Sequence, residues 1–211
     1  MATRVYLEVG KRRVFAAAAE WPGWVRSGKD ETSAIEALAN AQVRYAAVPK
    51  AARIAFAPAA GFDVLERLPG DAGTEFGVPG AIAKSDAKRL TKKEAGRQSA
   101  LVAASWTVFD RVVDKAPQSL RKGPRGGGRD RDAMVEHVLS AEIAYARKLG
   151  LRLKPPAAGD AAAVREHRNA IVAGIRAGTR GVSEGGWPAR YAARRIAWHV
   201  LDHAWEMEDR S

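Results

Sequence analysis

The spacing of apolar residues changes near residue 90, and that change limits what the chain can fold into. Ahead of it, apolar residues come in short runs broken by Gly and Pro; beyond it, they recur every three or four residues over helix-length stretches. Short alternating runs suit strands, whereas a period near 3.6 suits helices packed on one face. An α+β chain with its two kinds of element segregated is therefore expected: a small β-β-β-α unit within residues 1–85, then a four-helix bundle over residues 91–211.

In the first part, Val5-Tyr-Leu-Glu-Val and Val14-Phe-Ala-Ala-Ala read as two strands joined through Gly-Lys-Arg-Arg, a hairpin pattern. Trp21-Pro-Gly-Trp24 makes a sharp turn, and Val25-Arg-Ser suits a third strand. Asp30 or Thr32 can cap a helix whose apolar face takes Ile35, Leu38 and Val43, with Ala39 and Ala46 as further candidates. Residues 50–90 mix short apolar pieces such as Phe62-Asp-Val-Leu-Glu-Arg-Leu with Gly and Pro, which leaves room for another strand or two. The densest basic cluster runs from Lys84 to Arg97; its part from Lys84 to Lys93 falls at the junction and could grip phosphates or an acidic cofactor, but reads first as a solvated linker.

Thr91-Lys-Lys-Glu94 is a capping box. It opens a helix with Leu101, Ser105, Val108 and Val112 on one face and Val102, Trp106, Phe109 and Val113 beside them. A glycine-rich loop over 123–129 precedes Asp130 or Asp132, either able to cap a helix through His137 to about Leu149. Asp160 caps the next, which carries Val164, Ile171, Val172 and Ile175 and stops at Gly178. Gly185-Gly-Trp-Pro188 leads into the last, with proline at the start, where its missing N–H costs nothing.

That last helix carries His199-Val-Leu-Asp-His203, two imidazoles four residues apart on the face shared by Ala192, Ile196, Val200 and Met207. An imidazole aimed into an apolar interior needs a partner. His137, on another helix, supplies a third ring, and three imidazoles are the ligand set of an open metal site. The competing reading makes them core histidines bonded to neighbours or to a buried carboxylate such as Glu142. Glu142 lies five positions beyond His137, about 140° round the helix, so its reach to the same site is in question. Asp202 and Glu206 flank the pair and suit either the orienting of its rings or exposed pairing with Arg194, Arg195 or Arg210. His167 shares a face with Val164 and Ile171 but sits among Arg165, Glu166 and Arg168, leaving it as readily exposed as inward.

With 211 residues and 46% hydrophobic composition the chain can bury a core. It contains no Cys, which removes disulfides, thiolate metal sites and cysteine nucleophiles and leaves histidine and carboxylate as ligands. No apolar run nears the roughly 18 residues needed to span a bilayer, and the N-terminus lacks a signal-peptide pattern, so a cytoplasmic protein without a membrane partner is expected. The net charge of +11 raises nucleic acid as a partner. The basic residues are spread along the chain rather than gathered in a recognition motif, which ranks that partner third.

The layout of residues 91–210 resembles the DinB-like four-helix superfamily: a histidine within His137-Val-Leu-Ser-Ala-Glu142 in the second helix, and a His-x-x-x-His pair at His199 and His203 in the last. The resemblance implies a divalent ion, Zn²⁺ or Ni²⁺ before others, on His137, His199 and His203, and homodimers in many members. It also implies metal-assisted transfer with a low-molecular-weight thiol, or hydrolysis, acting on a small-molecule substrate. The maleylpyruvate isomerase branch, which uses mycothiol, carries glutamate where this chain has His199; this chain is similar to the three-histidine type. Residues 4–47, through Glu20-Trp-Pro-Gly-Trp-Val-Arg-Ser-Gly-Lys-Asp-Glu-Thr-Ser-Ala-Ile-Glu-Ala-Leu38, resemble the HicB-like antitoxin fold, which implies a partner-binding or dimerisation surface. The alternative function is thus a non-catalytic regulatory or interaction protein.

Overall fold

The computed structural model describes residues 2–57, 59–123, 127–178 and 186–211. The fold begins with the expected hairpin, in which β1 (Thr3–Val9) pairs antiparallel with β2 (Val14–Ala18), Val9 opposite Val14 and Val5 opposite Ala18. A turn at Trp21–Trp24 brings in β3 (Val25–Gly28), antiparallel to β2. The turn depends on Gly23 (φ 88°), where the backbone passes so close to the last helix that an added Cβ would lie 2.5 Å from Leu201 Cδ1. Trp24 closes the corner from inside: its ring is wholly buried, stacks on Tyr45 at 5.5 Å, and donates through Nε1 to the Leu38 carbonyl at 2.8 Å.

Helix α1 (Glu31–Asn40) starts at Asp30, whose carboxylate accepts from the Ser33 amide at 2.8 Å. It ends sooner than the apolar spacing suggests. The chain breaks at Ala41 into two short helices, α2 (Gln42–Tyr45) and α3 (Ala47–Ala51), and Val43, expected on the buried face, is 84% exposed. Tyr45 takes the inward position instead, donating its hydroxyl to the Pro22 carbonyl at 2.9 Å.

Residues 50–90 yield one strand, β4 (Phe62–Pro69), which lies parallel to β1 and gives the order β3-β2-β1-β4. A short helix α4 (Ala72–Phe76) and a 3-10 turn (Lys84–Ala87) follow. The basic junction is more firmly docked than a solvated linker, because Asp86 within it is buried and paired with Arg194 of the last helix.

Four long helices complete the chain. Helix α5 (Lys92–Lys115) opens on the Thr91/Glu94 capping box, with Thr91 N donating to Glu94 at 2.8 Å and Glu94 N to Thr91 Oγ1 at 3.2 Å. Helix α6 (Arg131–Lys148) has Asp130 at its N-cap, although that carboxylate accepts from Leu120 N at 3.1 Å rather than from its own helix. Helix α7 (Ala161–Ala177) is capped by Asp160 and followed by Gly178; α8 (Ala189–Arg210) follows Pro188. Part of the expected 123–129 loop and Gly185 lie outside the described residues. Among the described residues no helix is long and apolar enough to cross a membrane.

Helix α8 organises the molecule. It packs on α5, α6 and α7, and its Ile196, Val200, Leu201, Ala204 and Met207 join Val5, Leu7, Trp24 and Leu38 of the first part in one apolar core. Trp198 turns the other way, into a second cluster with Tyr6, Phe15 and Val25 on the opposite face of the sheet. Polar ties reinforce this: Arg44 of α2 reaches Glu208 at 2.9 Å and the Trp205 carbonyl at 3.0 Å, while Arg26 of β3 lies 3.7 Å over the Trp205 ring.

Candidate metal centre

The packing of α6 on α8 brings His137 to His199 and His203, so the three rings named from sequence meet. Their centroids are 4.6–5.1 Å apart, and one nitrogen from each ring lies within 4.8 Å of the other two. His199 Nε2 and His137 Nε2 face each other at 3.2 Å. Nitrogens bound 2.0–2.1 Å from one tetrahedral Zn²⁺ sit about 3.3 Å apart, so this edge of the triangle already has the length that coordination requires. The group could hold a metal ion, with neutral nitrogen donors from two rigid helices.

Electrostatics favour the neutral form of His199 and His137. His199 is 7% exposed, and burial, followed by the nearby His203, Arg195 and His137, pushes its pKa down to about 2. His137 is shifted the same way, mainly by burial and then by His203 and Arg129. A buried imidazole beside cationic groups pays twice to take a proton, through desolvation and through repulsion.

The orienting carboxylate is Glu206. Its Oε2 lies 3.1 Å from His203 Nδ1 and its Oε1 accepts from Arg210 Nη1 at 2.8 Å, which ties the His203 ring to the helix that carries it. The hydrogen bonds to His203 and Arg210 hold the Glu206 carboxyl below its usual range despite partial burial. A carboxylate on the far nitrogen of an imidazole is the usual support for a metal ligand, fixing its tautomer and raising its basicity. Asp202, weighed for the same task, instead faces Arg26 at 3.6 Å.

Glu142 is not the partner of these histidines. It is fully buried on another side of α6, where it accepts from Trp106 Nε1 at 2.7 Å and from Arg168 Nε at 3.3 Å, while Arg168 also binds Asp110 at 3.0 Å. A groove of about 540 Å³ lined by Trp106, Asp110, Val135, Leu139, Arg168 and Val172 borders this network, and none of the three histidines lines it. His167 is buried and stands apart from the trio; neither of its ring nitrogens has a hydrogen-bond partner among the described residues, and burial lowers its pKa.

The sequence does not mark Tyr145 as part of the site, and it offers Arg195 only as an exposed partner for Asp202 or Glu206. Tyr145 of α6 packs edge-on against His199 with centroids 5.7 Å apart, and Arg195 lies one turn before His199 on α8. The signal for Arg195 was present: positions 195, 199 and 203 share a helical face. Comparison with known proteins finds no match, whether to a family model, a curated protein or a solved structure.

Proposed function

We propose that this chain is a divalent-metal protein of DinB-like type with a HicB-like N-terminal unit, in which His137, His199 and His203 hold Zn²⁺ or Ni²⁺ and leave room for a further ligand. The observation that carries the reading is the convergence of three imidazoles from two helices, one pair already 3.2 Å apart, with Glu206 behind His203. A hydrogen bond between His199 and His137 would satisfy that pair alone, whereas three rings from two helices with one nitrogen each within 4.8 Å of the others suit a shared ion.

A divalent ion with three neutral nitrogen ligands keeps its Lewis acidity and lowers the pKa of a bound water or thiol. The chain's own part is to keep His199 and His137 unprotonated, to hold His203 through Glu206, and to shield the inner face with Tyr145 and Trp198. The activity we infer is metal-assisted transfer with a low-molecular-weight thiol, with hydrolysis as the nearest variant. A second, non-catalytic reading rests on the sheet, whose β3 and β4 form its two edges and offer backbone to another chain or a second copy.

The test is elemental analysis of untagged protein beside a His199→Ala/His203→Ala variant, with melting recorded with and without chelator. About one ion per chain, lost in the variant, together with a chelator-sensitive melting point in the wild type alone, is the expected result. An absence of bound ion in the wild type after reconstitution with Zn²⁺ and Ni²⁺ would refute the metal reading. Given an ion, thiol consumption in the presence of electrophiles separates the enzyme from the interaction protein.

A further inference from the structure

Among the described residues Arg195 forms no ion pair; its one polar side-chain contact is with the Tyr145 hydroxyl. Its guanidinium lies 5.3 Å over the Tyr145 ring and 4.6 Å over the Trp198 ring, an aromatic sandwich one turn from His199. The buried Nη1 has no hydrogen-bond acceptor among the described residues. The other arginines of this helix differ: Arg194 is paired with Asp86, Arg190 with Glu94 and Arg210 with Glu206. The nearest acids are engaged too, since Asp202 faces Arg26 and Glu206 is shared between His203 and Arg210.

A buried guanidinium N–H left unbonded is costly, and cation–π contact replaces only part of what water gave it. The charge is also felt at the site, where Arg195 and Arg129 both oppose protonation of His199. Three imidazoles add no negative charge, and the carboxylate beside them among the described residues, Glu206, is shared with Arg210, so a divalent ion there would leave the pocket net positive.

We propose that Arg195 receives the anionic group of the molecule that binds beside the histidines, and that this molecule is a small organic carboxylate. Its carboxylate pairs with the Arg195 guanidinium, whose buried Nη1 lacks an acceptor, and its apolar body lies against the part-exposed Tyr145 ring. The planar guanidinium fork matches a carboxylate, and the two flanking rings hold that fork in place before the ligand arrives. The inference rests on the metal reading only in setting the reacting end of the ligand at the three histidines.

Calorimetric titration with benzoate, and with neutral benzamide as the control, tests this on zinc-loaded and metal-free full-length protein. Benzoate is expected to bind and benzamide not. Arg195→Met should weaken benzoate by about tenfold to a hundredfold, the scale of one lost charge-assisted contact. Arg195→Lys should recover part of the loss, a rescue that a purely structural arginine would not show; if Arg195→Met does not fold, the lysine variant and Tyr145→Phe carry the comparison against wild type. Equal benzoate affinity in wild type and Arg195→Met, or no benzoate binding to either form of the wild type, overturns the proposal. Zinc content measured on the same samples keeps the two readings apart. Protein that binds no zinc but loses benzoate binding on Arg195→Met retires the metal and keeps the anion site.

Discussion

Replacing Arg168 by Met should make the stability of this protein depend steeply on pH. Arg168 is the only guanidinium bonded to Glu142 among the described residues, at 3.3 Å and 3.4 Å, and Glu142 is fully buried. Its second pair, with the half-exposed Asp110, is screened by water and contributes little. Without Arg168 the Glu142 carboxylate keeps only the Trp106 N–H, and breaking a buried pair in this way costs about 3–5 kcal/mol. Protonation limits the loss: taking up a proton at pH 7 against an unfolded pKa near 4.3 costs about 3.7 kcal/mol, and the same step at pH 5 costs about 1 kcal/mol. The sign follows from linkage. In the wild type, burial already raises the Glu142 pKa against the opposing pull of Arg168 and Trp106. Removing Arg168 raises it further, so the folded variant holds a proton that the unfolded chain has lost, and stability declines as pH rises from about 4.3 toward the folded value. Urea unfolding at pH 5 and pH 7 should show a deficit relative to wild type of at most about 3.7 kcal/mol at pH 7, shrinking to about 1 kcal/mol at pH 5. Adding Glu142→Gln should flatten that pH dependence, and zinc content should not change, because the histidines lie elsewhere. A deficit equal at both pH values, or one that Glu142→Gln leaves pH-dependent, would refute the account.

Three further outcomes are expected. Gly23→Ala should destabilise by about 2–5 kcal/mol in urea melts, summing the left-handed backbone of a non-glycine residue with the push of a new methyl against Leu201 and Ala197. Metal-free protein should lose stability as pH falls below about 6.5, with His199 alone contributing about 1.4 kcal/mol per unit and His137 and His167 adding to it, because unfolded chains protonate histidines that the fold keeps neutral. His199→Ala should shallow that slope, as melting between pH 7 and pH 5 will show. Glu206→Gln should weaken zinc binding by about tenfold to a hundredfold in a competition titration while leaving the stoichiometry unchanged, since it loosens the support of His203 rather than removing a ligand.

Much of the fold is readable where local chemistry decides it. The hairpin of Val5–Val9 with Val14–Ala18, the Asp30 cap and the Thr91/Glu94 box each depend on residues close in sequence, and each takes the expected form. The helix from Glu31 stops at Asn40 although the apolar spacing runs on to Val43, because Tyr45 is drawn to Trp24 and Pro22 and that attraction is tertiary. The place of Phe62–Pro69 is hidden for a related reason: the segment alternates in exposure as a strand should, but nothing local says that it will lie parallel to Thr3–Val9. At the site, the three histidines follow from spacing on two helices. The roles of the surrounding charges do not: Glu142 goes to Arg168, Glu206 to His203 and Arg195 to no acid among the described residues, each choice set by how the helices are rotated against one another.

Trp198 and His199 are consecutive, so their side chains leave α8 about 100° apart. One is held edge-on to Phe15 on the sheet, at 6.3 Å, and the other points to the histidine cluster. The strands therefore act as a rotational stop for the helix that carries two of the three imidazoles. A turn of α8 about its axis that freed Trp198 from the sheet would swing His199 away from His137, and trimming Phe15 would alter the spacing of ligands it does not neighbour in sequence. The shape of the histidine triangle is thus partly written in the first twenty residues, far along the chain from the three rings.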